Sequence, residues 1–234
     1  MVDFESFRLA ASTDSLSVEP RARPNADLIE FRMDLAENPL EALDDYDGDL
    51  EILVTNRPDW EGGNREDTPE RRDELVAALS KPAVTAVDLE LRALENPGRR
   101  TDLDPVLDVA HEQDIPIVVS VHDFDHAPSR KTLVDFGHRG CQFGTLAKIA
   151  VTPETHESVL ELLQATHDLT QEGRTVATMA MGELGSHTRA IAPLYGSKLG
   201  YAPIDSTGGT APGQFDLETL ASLLETFGVR ANRI

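Results

Sequence analysis

Short apolar runs alternate with longer amphipathic runs along the whole chain, and this alternation constrains the fold more than any other feature. The strand-like runs are residues 8–13, 28–34, 51–57, 83–91, 115–122, 141–151, 175–181 and 201–205. Helical patterns occupy 39–44, 69–79, 104–113, 129–137, 153–172, 186–195 and 217–227. Thr68-Pro69, Asp104-Pro105 and Thr152-Pro153 each set a capping residue before a proline at the first helical position. Eight strand–helix units with short connections predict a parallel sheet, most simply a (β/α)8 barrel. The 234 residues suffice for that barrel or for two small domains. No linker, low-complexity stretch or repeat marks a boundary, so one barrel over residues 1–234 is expected.

The strand faces carry charge where a buried parallel sheet should carry none. In Leu28-Ile-Glu-Phe-Arg-Met-Asp-Leu35, side chains alternate across the sheet. Ile29, Phe31, Met33 and Leu35 suit the helix-covered outside, which sends Glu30, Arg32 and Asp34 inward. Asp88 and Glu90 point inward by the same rule, with Val87, Leu89 and Leu91 outward. A wet antiparallel face is the bland explanation, and the strand–helix alternation argues against it. Charges inside a barrel must pair with one another or bind a polar ligand.

Two further strands place one ionisable group each among aliphatics: Ser120-Val-His-Asp-Phe124 and Leu146-Ala-Lys-Ile-Ala-Val151. Desolvation favours the neutral amine of a lysine so placed, and that amine is a nucleophile. A histidine is the natural proton shuttle near pH 7. On adjacent strands about 4.8 Å apart, Lys148 and His122 meet near the C-terminal mouth, where barrel sites lie. Together they point to imine chemistry on a carbonyl compound. Either residue alone reads as structural.

At this point the chain resembles the type I 3-dehydroquinate dehydratases, lysine Schiff-base enzymes of the shikimate pathway. The carrying motifs, in order, are Glu30-Phe-Arg-Met-Asp34, Thr55-Asn-Arg57 with Glu61-Gly-Gly63, and Asp88-Leu-Glu-Leu91. They continue with Ser120-Val-His-Asp-Phe124, Lys148-Ile-Ala150, Met179-Ala-Met-Gly182 with Arg189, and Ala211-Pro-Gly-Gln214. The resemblance implies dehydration of 3-dehydroquinate to 3-dehydroshikimate, with Lys148 forming the imine and His122 moving the proton. Glu61 would position or assist His122, although Glu61-Gly-Gly63 alone reads as an exposed turn. It also implies substrate binding by Ser12, Glu30, Arg32, Arg57, Arg189, Thr210 and Gln214. Arg189 would take the carboxylate, and Arg32 and Arg57, paired with Glu30, the hydroxyl side. The glycine-rich segment 206–214 would form a lid over the mouth. The first strand matches poorly, so its substrate-facing serine falls on Ser12 or Ser15 or on neither. Thr210 and Thr188 stand where the family has serine. A homodimer is expected from the resemblance, and no cofactor.

Other readings are a class I aldolase on the same barrel and a non-catalytic binding barrel. The aldolase often needs a phosphate site after the last strands, and 206–214 lacks the Gly-Lys-Ser/Thr ending of a phosphate loop. A binding barrel has no need of the Lys148/His122 pair. The seven histidines show no metal-ligand spacing.

Charge bears on setting. Forty-two acidic residues face twenty-one basic ones, a net charge of −21, and Lys81, Lys131, Lys148 and Lys198 are the only lysines. No basic patch suits nucleic acid. A carboxylate-rich surface suits high salt, where self-repulsion is screened. No run reaches membrane-spanning length, and the first residues lack the pattern of a signal peptide. A cytoplasmic setting is expected. The lone Cys141 allows no internal disulfide and reads as a packed small residue on the sixth strand.

Overall fold

The computed structural model describes residues 2–96, 101–204 and 214–230. Within them, eight parallel strands alternate with helices: β1 (Arg8–Thr13), β2 (Leu28–Arg32), β3 (Glu51–Thr55), β4 (Val84–Glu90), β5 (Ile117–Asp123), β6 (Leu146–Val151), β7 (Val176–Ala180) and β8 (Leu199–Pro203). The sheet runs β7-β6-β5-β4-β3-β2-β1-β8, so every neighbour but one is the next strand in sequence. The β7–β8 seam closes without a ladder. Lys198 N donates to Val176 O at 2.8 Å, and Thr178 N donates to the Ser197 hydroxyl at 3.1 Å. The barrel expected from the alternation is the fold observed.

The helices are α1 (Glu19–Ala22), α2 (Pro39–Asp44), α3 (Pro69–Leu79), α4 (Leu91–Glu95), α5 (Asp104–Glu112), α6 (Arg130–Phe143), α7 (His156–Gln171), α8 (Gly182–Gly185), α9 (Thr188–Ile191) and α10 (Leu217–Thr226). Two of the three proline signals shift. Thr68 does precede α3, but Leu103 precedes α5. Helix α7 starts three residues after Pro153, where the Thr155 side chain accepts from Ser158 N. A capping hydroxyl that reaches its N–H fixes the start better than a proline does.

Period-2 alternation builds two apolar layers. Outside, Ile29, Phe31, Met33, Val87, Leu89 and Leu91 pack beneath the helices. Inside, Ala10, Leu28, Leu53, Ala86, Val118, Leu146, Ala177 and Leu199 fill the barrel, and Val2 and Phe4 join them from the N-terminal segment. Above this apolar floor come the charged positions of the same strand faces, toward the C-terminal ends where barrel sites form.

Several strand ends differ from expectation. Strands β2, β3 and β7 stop before Asp34, Arg57 and Met181, whose side chains serve the mouth instead of a ladder. Cys141 lies in α6, not on a strand. It is half-buried, and burial pushes its thiol pKa up, as suits a packed residue. Among the described residues, no helix is long and apolar enough to cross a membrane.

Candidate active site

The register of β5 against β6 sets Ser120 beside Lys148 and His122 beside Ala150. Lys148 and His122 therefore rise from adjacent strands on the inner face, as the alternation requires. They line one pocket at the C-terminal mouth, with Glu30, Arg32, Arg57, Glu61, Arg189 and Gln214 around it. The pocket encloses about 590 Å³ including its open mouth.

Lys148 is buried, but not among aliphatics alone. Its Nζ lies 3.1 Å from Asp88 Oδ2 and 3.8 Å from Glu30 Oε1. Asp88 also accepts from Arg57 at 2.7 Å and from the Ser120 hydroxyl at 2.7 Å. Burial alone would raise the Asp88 pKa, but Arg57 and then Lys148 outweigh it and hold the carboxyl well below the usual range. Glu30 accepts from Ser12 at 2.5 Å and from Thr55 at 3.2 Å. Ser12 is buried beneath Glu30 and does not line the pocket.

The expected pairing of Arg32 and Arg57 with Glu30 is not what the side chains make, and Arg32 takes the internal salt bridge to Asp34 that is the alternative to a substrate role. Arg57 bridges Asp88 and Glu90 across β4, at 2.7 and 2.8 Å. Arg32 forks onto Asp34 at 2.8 and 2.6 Å. In each case the guanidinium reaches a carboxylate that offers planar two-point contact or a second acceptor nearby. Arg71 on α3 backs Glu90 from outside at 3.0 Å.

Glu61 is buried at 5% exposure, which excludes the exposed-turn reading. The two glycines after it account for this. Gly62 adopts φ +77°, a left-handed conformation that suits glycine. A Cβ there would strike the Phe124 ring, and one on Gly63 would sit 2.0 Å from the Arg57 carbonyl. The turn is thus folded tightly against the mouth and delivers Glu61 to His122. Glu61 Oε1 lies 3.0 Å from His122 Nδ1 and accepts from the His122 backbone N–H at 3.2 Å. Burial pushes the Glu61 pKa up to about 8. Burial, then the Arg57 and Lys148 cations, push His122 well below the usual imidazole value. The pair resists carrying two charges, and with Nδ1 engaged, Nε2 is left for proton transfer. Phe124 stacks on the imidazole, with centroids 5.8 Å apart.

Arg189 sits across the pocket on α9. The Thr188 hydroxyl accepts from Ala180 N at 2.9 Å and donates to Gly185 O at 2.7 Å, pinning α9 to the end of β7. A hydroxyl is thus needed at 188, and threonine supplies it. Among the described residues no carboxylate pairs with Arg189, and its Nε has no hydrogen-bond partner. Burial lowers its pKa to about 10, so it remains a cation at neutral pH. Its Nη1 reaches only Met179 Sδ, at 4.0 Å, and a buried guanidinium without a carboxylate partner, facing a pocket, can take an anion. Thr210 and most of the 206–214 segment lie outside the described residues; Gln214 is at the pocket rim.

Asp88, Ser120 and Tyr201 also belong to this constellation. Alternation alone turned Asp88 inward, but its partners depend on side-chain reach between strands. Tyr201 lay at the start of a strand read two residues too late.

The family model for type I 3-dehydroquinase matches residues 12–231. The 3-dehydroquinate dehydratase of Haloarcula marismortui is 53% identical over 223 residues, covering 95% of this chain and 97% of that protein. The crystal structure of 3-dehydroquinate dehydratase from Geobacillus kaustophilus shares 28% identity and a TM-score of 0.82, covering 97% of this chain and 93% of that one. A type I 3-dehydroquinate dehydratase from Clostridium difficile, solved with covalently modified comenic acid, shares 26% identity and a TM-score of 0.80, covering 95% of this chain and 92% of that one. The chain belongs to the type I 3-dehydroquinase family.

Proposed function

We propose that this chain dehydrates 3-dehydroquinate to 3-dehydroshikimate through an imine on Lys148, within the shikimate route to aromatic amino acids. The carrying observation is one pocket that holds a buried amine, a paired imidazole and an unpaired guanidinium. Arg189 takes the substrate carboxylate, which places the ketone toward Lys148. After losing a proton, Lys148 Nζ attacks the ketone carbon, and loss of water from the carbinolamine gives an iminium. That cation acidifies the adjacent C–H. His122 Nε2 removes the proton, and Glu61 supports the imidazolium through Nδ1. The enamine then expels the β-hydroxyl, which leaves as water with the proton returned from His122. Hydrolysis of the product imine frees the amine.

Glu30, held by Ser12 and Thr55, and Arg32 and Arg57 frame the hydroxyl side of the pocket, with Gln214 and Thr210 completing the mouth. Ser12 bears on substrate through Glu30. The covalently modified ligand in the Clostridium difficile relative accords with a nucleophile in such a pocket. Family membership also supports a homodimer and a cytoplasmic setting, and the acidic composition together with the Haloarcula relative supports a high-salt one.

Borohydride added with 3-dehydroquinate tests the proposal. The expected result is loss of activity with ligand mass on the peptide that contains Lys148. Adduct on Lys131 or Lys198, or full activity without adduct, refutes the imine. A class I aldolase would instead cleave a carbon–carbon bond, and an absorbance assay for the enone product separates the two.

A further inference from the structure

We propose that Tyr201 is a positioning residue for Lys148, its ring carrying the lysine nitrogen while that nitrogen is cationic. The inference rests on the Schiff-base reading of Lys148. Tyr201 stands on the inner face of β8, paired in register with Ala10 of β1, in the apolar layer beneath the charged mouth. Lys148 Nζ lies over its ring, 4.2 Å from the centroid. That is within the range at which an aromatic quadrupole attracts a cation, and both partners are buried, where the attraction is strongest.

Three groups therefore surround Nζ: Asp88, Glu30 and the Tyr201 ring. They respond differently to the chemistry. Asp88 engages one N–H of the ammonium, which has three, while Glu30 lies beyond hydrogen-bond distance. Once Nζ is double-bonded to the substrate carbon, only one N–H remains, and Asp88 keeps its bond only if that N–H points toward it. The ring requires no N–H. It answers to positive charge alone, which the iminium retains, so it can hold the nitrogen before and after the carbon–nitrogen bond forms. The neutral carbinolamine lies between these cationic states, and the ring favours its loss of water to iminium.

The phenol oxygen marks the same residue. It is buried and has no hydrogen-bond partner among the described residues. An unsatisfied hydroxyl is costly, so phenylalanine tests the ring separately from the oxygen.

The experiment uses the full-length enzyme, Tyr201→Phe and Tyr201→Leu, at saturating 3-dehydroquinate. Borohydride quenches at timed intervals, and intact mass gives the rate at which the Lys148 adduct forms. Circular dichroism and melting temperature check the fold. Tyr201→Phe should trap within threefold of wild type, with an equal or higher melting temperature. Tyr201→Leu should trap about tenfold more slowly, in line with loss of a desolvated cation–π contact. A purely packing role would not separate two folded apolar variants in this way. Should Tyr201→Leu fail to fold, Tyr201→Met provides a more adaptable aliphatic filler and should show the same slowing. Wild-type trapping with equally fast trapping in the folded aliphatic variant overturns this inference alone. So does equal slowing in Tyr201→Phe, since the ring would not then be the working part. Absence of any Lys148 adduct in wild type removes the Schiff-base reading and this inference with it.

Discussion

Glu61 shows how one residue can be legible in type and hidden in state. The order of Glu61-Gly-Gly63 after Arg57 is one of the motifs that carry the resemblance, yet a glutamate before two glycines is ordinary turn chemistry. What changes it is the pair of close approaches at Gly62 and Gly63, which drive the carboxyl inward. Burial then raises its pKa to about 8, against about 4.3 in an unfolded chain. Between those values the folded state holds a proton that the unfolded state has lost. Stability therefore falls as pH rises through that window. His122 acts in the opposite sense: its folded pKa is depressed, so its penalty appears as pH falls below about 6.5. Glu61→Gln removes only the first effect. Melting temperatures from pH 5 to 9 should show the variant gaining on wild type as pH rises, while kcat falls on the order of 10²-fold because an amide cannot exchange a proton with His122 Nδ1 as the carboxyl can. A gap that does not change with pH would show that the carboxyl is not held neutral by the fold. The same lesson holds for Arg57 and Arg32. Alternation showed which way strand residues faced, but which guanidinium meets which carboxylate depends on reach between strands, which a period of two does not encode.

At the scale of elements, existence and order were readable and ends were not. Strands β1 and helices α2 and α3 coincide with their sequence signals because proline or a polar–apolar change marks both limits. The sequence pattern ends a helix at Gly137, whereas α6 continues to Phe143. Glycine reads locally as a breaker, but here it makes room. A Cβ at Gly140 would lie 2.7 Å from the Cβ of Ala147 on β6, and one at Gly137 would meet the Leu169 side chain of α7. Gly200 in β8 similarly faces the Phe7 ring, one residue before the expected start of that strand at Tyr201. These contacts are long-range, so no local pattern reveals them. Gly140→Ala offers a test in which propensity and packing oppose each other. Alanine should gain about 0.5–1 kcal/mol as a helix residue. It must also push α6 away from a rigid methyl beside backbone, an overpacking cost of about 1–3 kcal/mol. Net destabilisation is expected in urea unfolding. Gly137→Ala should cost less, because the Leu169 side chain can change rotamer. If Gly140→Ala proves the more stable protein, the helix does not sit on β6 as closely as the structure shows.

For the whole molecule, the distribution of charge decides what the composition means. Among the described residues, the buried carboxylates are Glu19, Glu30, Asp34, Glu61, Asp88 and Glu90, and the buried cations are Arg57, Arg71, Lys148 and Arg189. Among the described residues the buried groups thus account for about two of the 21 excess negative charges. Around α2, Glu37, Glu41, Asp44, Asp45, Asp47 and Asp49 are all exposed, as are Glu154, Glu157 and Glu172 at the two ends of α7. Folding gathers these charges onto one small surface, so repulsion burdens the folded state more than the expanded chain. The range of that repulsion is about 30 Å at 0.01 M salt, comparable with the molecule, and about 3 Å at 1 M, shorter than most spacings between exposed charges. The mouth network responds differently. Arg57, Asp88, Glu90 and Lys148 are buried, and mobile ions do not screen them effectively. Raising KCl from millimolar to molar should therefore relieve the surface and leave the site's pairs in place. The melting temperature should climb with salt, and activity should persist at molar KCl. On the proposed function, substrate approach adds a second contribution of the same sign, since an anion nearing this acidic surface is repelled at low salt. Thermal unfolding and kcat/KM across one salt series read both effects. A melting temperature that is flat or falls with salt would mean that the exposed carboxylates carry no net repulsive burden. The pocket chemistry would stand unchanged, because its charges are buried inside the barrel.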